Sequence, residues 1–140
     1  MHWIRNLIKK FDTNNPLEIA EQLNIMILYE DLENLNGYYS CLLNRKFIHI
    51  NNKLTKHMKK FVIAHELGHA LLHENNNTPF IKYFSFININ RLENEANIFA
   101  VNLLISDEDI ESYKFAEYTV EQIAMICGLP KELIELRLNK

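Results

Sequence analysis

The chain has 140 residues, 48% of them apolar and 24% charged, which fits one globular domain and excludes a disordered segment. Its formal charge of −3 lacks the basic excess of a general nucleic-acid binder. Only three Gly and three Pro occur, which argues against a repeat-turn β architecture and against long linkers.

Residues 2–11 follow a helical pattern. Trp3, Ile4, Leu7, Ile8 and Phe11 share one stripe, with Arg5, Lys9 and Lys10 beside it. So few charges make a weak membrane anchor, and the expectation is a helix docked on its own domain. MHWIRNLIKKF carries charges inside its apolar run and no small-residue cleavage site, so it does not read as a secretory signal. No uncharged apolar stretch approaches the ~20 residues of a membrane span. A cytoplasmic protein of one domain, 1–140, is expected, without membrane partners.

A turn at Thr13–Pro16 precedes a short helix over 16–24, with Pro16 suited to its first position. IMILYE (25–30) reads as a strand. Residues 35–51 suggest a hairpin turning at Asn44-Arg45, with Ile48 and Ile50 alternating with His49. The strongest helical pattern runs from about Lys53 to His73. Its lysines at 53, 56, 59 and 60 read as a solvated face. A loop and a strand-like aromatic stretch (80–89) follow, then a second strong helix from about Arg91 to Ile105. Asp107–Phe115 reads as a short helix. Thr119 and Gln122 form a capping-box pattern for a helix ending at Gly128, and Pro130 opens a last helix to 138. Cys41 and Cys127 lie far apart among apolar residues and read as reduced, buried thiols. The fold class is α+β: a mainly helical domain with a small antiparallel sheet formed from 25–51, to which 80–89 can add a strand.

The chemistry is concentrated in His65-Glu66-Leu67-Gly68-His69. Two His at i and i+4 project from one helix face, one turn apart, and both imidazoles can reach one ion at about 2.0–2.1 Å. Glu66 stands about 100° around the helix from His65. It can approach a water without occupying a ligand position. Zinc lowers the pKa of its water toward ~7, and a nearby carboxylate can take the proton. A hydrolytic site needs a third protein ligand and one open position. The elongated pattern with Gly at 72 and His at 75 is absent, because the chain has Leu72 and Asn75. His73 lies about 12 Å along the axis from His65, so a packing or ligand-supporting role is expected for it.

The third ligand is expected from 91–105. Glu93 and Asn97 share a face at i and i+4, with Glu93 the candidate ligand and Asn97 placed to orient a ligand His by a hydrogen bond. Glu95, directed elsewhere, is the rival. Ala96 and Ala100 permit close approach to Gly68. His₂-carboxylate sites accept several metals, so Mn2+ or Fe2+ stand beside Zn2+. Tyr38, Tyr39 and Tyr83 are oxyanion-stabiliser candidates by residue type only.

IAHELGHALLH (63–73), followed by ENEANIFAVNLL (93–104), resembles the ImmA/IrrE family of zinc metallopeptidases, HExxH proteins of gluzincin-like type. NPLEIAEQLNI (15–25), FIHIN (47–51) and TVEQIAMICGLPKELIELRL (119–138) support the resemblance, which covers most of the chain from residue 13. Where family members often carry Pro after the second helix, this chain has Leu104-Ile105-Ser106, replacing that stop by a Ser cap. The resemblance implies a small cytoplasmic protease of prophages and mobile elements that cleaves a helix-turn-helix (XRE-type) repressor, commonly in response to DNA damage. It places His65, His69 and Glu93 at the metal positions and Glu66 at the catalytic carboxylate.

Two other functions compete. One is a non-proteolytic antirepressor, or protein-binding module, with a structural metal site; the presence of Glu66 argues against it. The other is a DNA-binding module built on 119–138, whose last helix sets Lys131 and Arg137 against Glu132 and Glu135 and so lacks a basic excess. Direct nucleic-acid binding is not expected. Oligomeric state leaves no signal in the sequence.

Overall fold

The computed structural model describes residues 2–73 and 86–139. In chain order these form α1 (His2–Phe11), α2 (Pro16–Gln22), β1 (Met26–Glu30), β2 (Gly37–Leu42), β3 (Arg45–Asn51), α3 (Lys56–Leu72), α4 (Phe86–Leu104), α5 (Asp107–Phe115), α6 (Val120–Cys127) and α7 (Lys131–Leu138). The fold is α+β and mainly helical, as expected.

The sheet departs from the expectation in one respect. Its order is β1-β3-β2. β2 and β3 form the expected antiparallel hairpin, Gly37 opposite Ile50 and Leu42 opposite Arg45. β1 instead runs parallel to β3, Met26 beside Phe47 and Glu30 beside Asn51. The sheet is therefore mixed. Alternation reveals that 26–30 is a strand, but it does not encode the direction of its neighbour. The hairpin turn also sits one residue earlier than read, at Leu43-Asn44, both at positive φ (53° and 64°). Such a pair of angles matches the twist of a two-residue hairpin.

Helix α3 is the centre of the molecule. Every residue from Phe61 to Ala70 is buried, so its faces are covered by different neighbours rather than by one. The sheet packs on it through Tyr39, Ile48 and Ile50, all fully buried, α2 through Ile19 and Ala20, and α4 along its length. Thr55 starts the helix by accepting from the Met58 N–H, two residues later than read. α4 begins at Phe86, so residues 86–89 of the strand-like stretch are helical, while 80–85 lie outside the described residues.

The C-terminal helices follow the reading closely. Ser106 and Asp109 form a capping box that starts α5, so the Ser does stand where a Pro stop was absent. Thr119 and Gln122 form the box that starts α6, and Gly128 closes it in the left-handed conformation, φ 67°. α1 docks on the domain: Ile4 is buried and Trp3 stacks on Phe99, ring centroids 5.4 Å apart. Lys53, Lys56 and Lys60 are exposed, and Lys53 pairs with Asp31 at 3.2 Å. Cys41 and Cys127 are half-buried rather than buried. Arg137 is also buried. Its Nε donates to the Ile105 carbonyl and its Nη2 to Asp107, both at 2.8 Å. That cation belongs to the core and is not presented for phosphate contact. No helix among the described residues is long and apolar enough to cross a membrane.

Candidate metal centre

Two helices build the site. α3 carries His65 and His69 one turn apart, and α4 brings Glu93 against them. The approach depends on small residues. A Cβ on Gly68 would lie 2.9 Å from Phe99 Cδ1 and 3.3 Å from the Ala96 Cα, so the bare Gly68 backbone lets α3 sit against the Phe99 ring and the small Ala96. This is the contact that the Gly68–Ala96 spacing predicted.

The donor atoms of His65, His69 and Glu93 all lie within 4.8 Å of one another. Glu93 Oε2 is 2.9 Å from His65 Nε2, and Glu93 Oε1 is 2.9 Å from His69 Nε2. Ligands of a tetrahedral zinc at about 2.0–2.1 Å stand roughly 3.4 Å apart, so small adjustments suffice for the three to share one ion. Glu95 is not in this group. Its Oε2 lies 3.3 Å from His73 Nε2, and its Oε1 lies 3.4 Å from Arg91 Nε. Geometry thus favours Glu93 over its rival.

The remaining ring nitrogens are also engaged. His65 Nδ1 lies 2.7 Å from Asn97 Oδ1, the contact expected of Asn97. His69 Nδ1 lies 3.0 Å from His73 Nδ1. Glu66 is buried, with Oε2 3.9 Å from His65 Nε2.

The electrostatics follow from burial and pairing. Burial favours a neutral His65, but the bond to Glu93, the charges of Glu66 and Glu93, and the bond to Asn97 outweigh it and raise its pKa. For His69 burial prevails over the bond to Glu93, and its pKa is lowered. Burial likewise favours a neutral Glu93, yet its bonds to both imidazoles hold its carboxyl far below the usual range. An ionised carboxylate and two imidazole nitrogens converging from rigid helices form an N₂O donor set suited to a divalent transition metal.

A cleft of about 330 Å³ opens beside this group, lined by residues 34–37, Phe61, Val62, His65, Glu66, Glu93 and Asn97. The loop wall was missed by the sequence reading. It is held by Asn51, which is buried at the end of β3. Asn51 Nδ2 donates to the Glu33 carbonyl at 3.1 Å and the Leu35 carbonyl at 2.9 Å. A polar residue closing the alternation of FIHIN was the available signal. Of the tyrosines, Tyr39 is fully buried in the core. Tyr38 stacks on His49, centroids 4.1 Å apart, and neither lines the cleft. Tyr83 lies outside the described residues.

Comparison with known proteins identifies the family. The model of the peptidase family described as the IrrE N-terminal-like domain matches residues 20–139. Metallopeptidase ImmA of Bacillus subtilis (strain 168) is 34% identical over 143 residues, covering 99% of this chain and 83% of that protein. An uncharacterized immunity region protein 2 of Bacillus phage phi105 is 41% identical over 135 residues, covering 96% of this chain and 85% of that one. Among solved structures, a Mycobacterium tuberculosis transcriptional regulator superposes with a TM-score of 0.69 at 15% identity. That match covers 99% of this chain but 46% of the regulator, and it speaks for the fold alone. By its family match and its similarity to ImmA, this chain belongs to the IrrE N-terminal-like family and is a metallopeptidase.

Proposed function

We propose that residues 1–140 form one cytoplasmic domain that hydrolyses a peptide bond in a helix-turn-helix repressor, with His65, His69 and Glu93 holding the metal and Glu66 as the catalytic carboxylate. The observation that carries this reading is the convergence of the three donor sets beside the cleft, with the Glu66 carboxylate at their flank. Zinc fits the N₂O set best, and Mn2+ or Fe2+ are compatible with it. When bound, such an ion supplies Lewis acidity that polarises a carbonyl and acidifies water.

The chain's own residues supply the rest. Glu66, buried and next to His65, accepts a proton from the attacking water and delivers it to the leaving amine. Asn97 holds the His65 ring at its Nδ1 and leaves Nε2 directed at Glu93. The loop at 34–37 and Phe61 wall off one side of the cleft and limit its water. Among the described residues β2 is an edge strand, and it begins at the cleft with Gly37. An extended substrate segment would add along that edge through backbone hydrogen bonds. The repressor as substrate is supported by similarity to a phage immunity-region protein and by the family resemblance.

The test is to incubate the zinc-loaded protein with the helix-turn-helix repressor encoded beside its gene, and to look for a discrete cut by mass spectrometry. Glu66→Gln should keep stoichiometric metal and abolish the cut. Full inactivation of the repressor by Glu66→Gln, with no cleavage, would replace this reading by the antirepressor one.

A further inference from the structure

His73 is 7% exposed, lies beyond ligand reach, and takes no part in the chemistry above. We propose that His73 and Glu95 are positioning residues that fix His69 in the tautomer able to ligate through Nε2. This rests on the metal site proposed above.

The argument is a count of protons along three contacts. A carboxylate oxygen can only accept. Glu95 Oε2, 3.3 Å from His73 Nε2, therefore favours a proton on that nitrogen. Arg91, one turn earlier on α4, sets its Nε 3.4 Å from the other oxygen and so helps to hold the carboxylate in place. A neutral His73 with its proton on Nε2 has a bare Nδ1. That nitrogen lies 3.0 Å from His69 Nδ1, so the bond between them requires the proton on His69 Nδ1. His69 Nε2 is then bare and directed at Glu93 Oε1, 2.9 Å away. A lone pair facing a carboxylate is repulsive until a cation comes between them. The chain Glu95, His73, His69 thus prepares one ring nitrogen for a metal and for little else.

His65 offers an internal comparison. Its Nδ1 meets Asn97 Oδ1, an oxygen that accepts from the ring in the same way. The two ligand imidazoles are therefore held by equivalent bonds from different acceptors, an amide oxygen for one and a carboxylate-backed imidazole for the other.

Two measurements test this. In the zinc-loaded protein, long-range 1H–15N NMR should place the protons on His69 Nδ1 and His73 Nε2. Zinc affinity, read by competition with a chromophoric chelator, should fall about 10- to 100-fold in His73→Leu, the range typical of lost ligand support. His73→Asn puts an acceptor oxygen where Nδ1 was and should recover most of that loss. Glu95→Ala, at a half-exposed position, should weaken binding by less than His73→Leu. Equal weakening by Leu and Asn would assign His73 to packing and overturn the proposal. So would wild-type affinity in His73→Leu, or a proton found on His73 Nδ1 in the zinc-loaded wild type. This last result needs no variant to fold. Failure of the wild type to bind any divalent cation would instead remove the metal site itself, and this inference with it.

Discussion

Replacing Gly68 with alanine puts a methyl group where the fold leaves no room. The added carbon meets Phe99 Cδ1 at 2.9 Å and the Ala96 Cα at 3.3 Å, whereas carbons prefer about 3.5–4.0 Å. Phe99 is fully buried and stacked on Trp3, so its ring has little freedom to swing aside. Ala96 offers backbone, so relief there moves α4 itself. To restore those distances the gap must widen by roughly 0.6–1.1 Å at Phe99 and roughly 0.2–0.7 Å at Ala96. Overpacking of this kind costs about 1–3 kcal/mol, while alanine gains about 1 kcal/mol over glycine in a helix. The net loss of stability is expected at about 0–2 kcal/mol.

The effect on the metal should be larger in proportion. Ligand distances must fall within about 0.2 Å of their ideal values. Glu93 is three residues from Ala96, so it retreats with α4. Its side chain can turn to recover part of the gap, and zinc affinity is expected to fall about 10-fold or somewhat more, near 1.4 kcal/mol. Chelator competition measures the affinity, and urea unfolding in the presence of chelator measures the apo-protein. Zinc binding within twofold of the wild type, alongside an apo-protein destabilised by more than about 2 kcal/mol, would refute the claim that Gly68 serves ligand convergence.

Asn51→Ala removes both bonds that hold the Glu33 and Leu35 carbonyls; stability should drop by about 1–3 kcal/mol, and amide exchange at residues 33–36 should quicken while α3 stays protected. Arg137→Met leaves the Ile105 carbonyl and Asp107 without the cation that joins α7 to the α4–α5 junction, and chemical unfolding should report a loss of about 2–3 kcal/mol. Tyr113 is pushed up to about 12, first by burial and then by its neighbour Cys127. Ultraviolet titration should therefore show a late-ionising tyrosine in the wild type that Tyr113→Phe lacks. The sign is fixed by linkage. The unfolded chain loses this proton near pH 10 and the folded chain does not, so this tyrosine's contribution to stability falls as pH rises from 10 toward 12. Ionisation of Tyr113 together with the exposed tyrosines would contradict it.

What the sequence disclosed and what it withheld divide along a physical line. The i, i+4 spacing of His65 and His69, and of Glu93 and Asn97, states which side chains share a helix face, and each of those pairs proved to face the other helix. Capping chemistry was equally plain at Ser106 and Thr119, because a cap is decided within four residues. The direction of β1 was hidden, since a strand's alternation carries no record of its partner's polarity. So was the start of α4 at Phe86. Aromatic and β-branched residues favour strands only where a sheet receives them, and here Phe86 to Ile89 open a helix. The pairing of His73 with Glu95, and of Asn51 with the loop at 33–35, are contacts of 22 and 16 to 18 residues in separation. Nothing local announces them beyond a polar residue in an apolar context.

The same contacts argue that this part of the fold does not exist for stability. Three imidazoles (His65, His69, His73) and three carboxylates (Glu66, Glu93, Glu95) are gathered at the junction of α3 and α4, where apolar side chains would pack at no desolvation cost. The bonds to both imidazoles favour an ionised Glu93 and those to Glu93 and Asn97 favour a charged His65, but burial favours a neutral His69. Its two ring nitrogens then face a carboxylate on one side and a histidine on the other, and one proton cannot serve both. A cation held by His65, His69 and Glu93 would remove that conflict, because both Nε2 atoms would then offer it a lone pair. Buried ionisable groups whose needs are met only together with a ligand mark a working site. By that reasoning the metal-loaded protein, rather than the apo-protein, is the state in which the hydrogen bonds of α3 and α4 are mutually consistent.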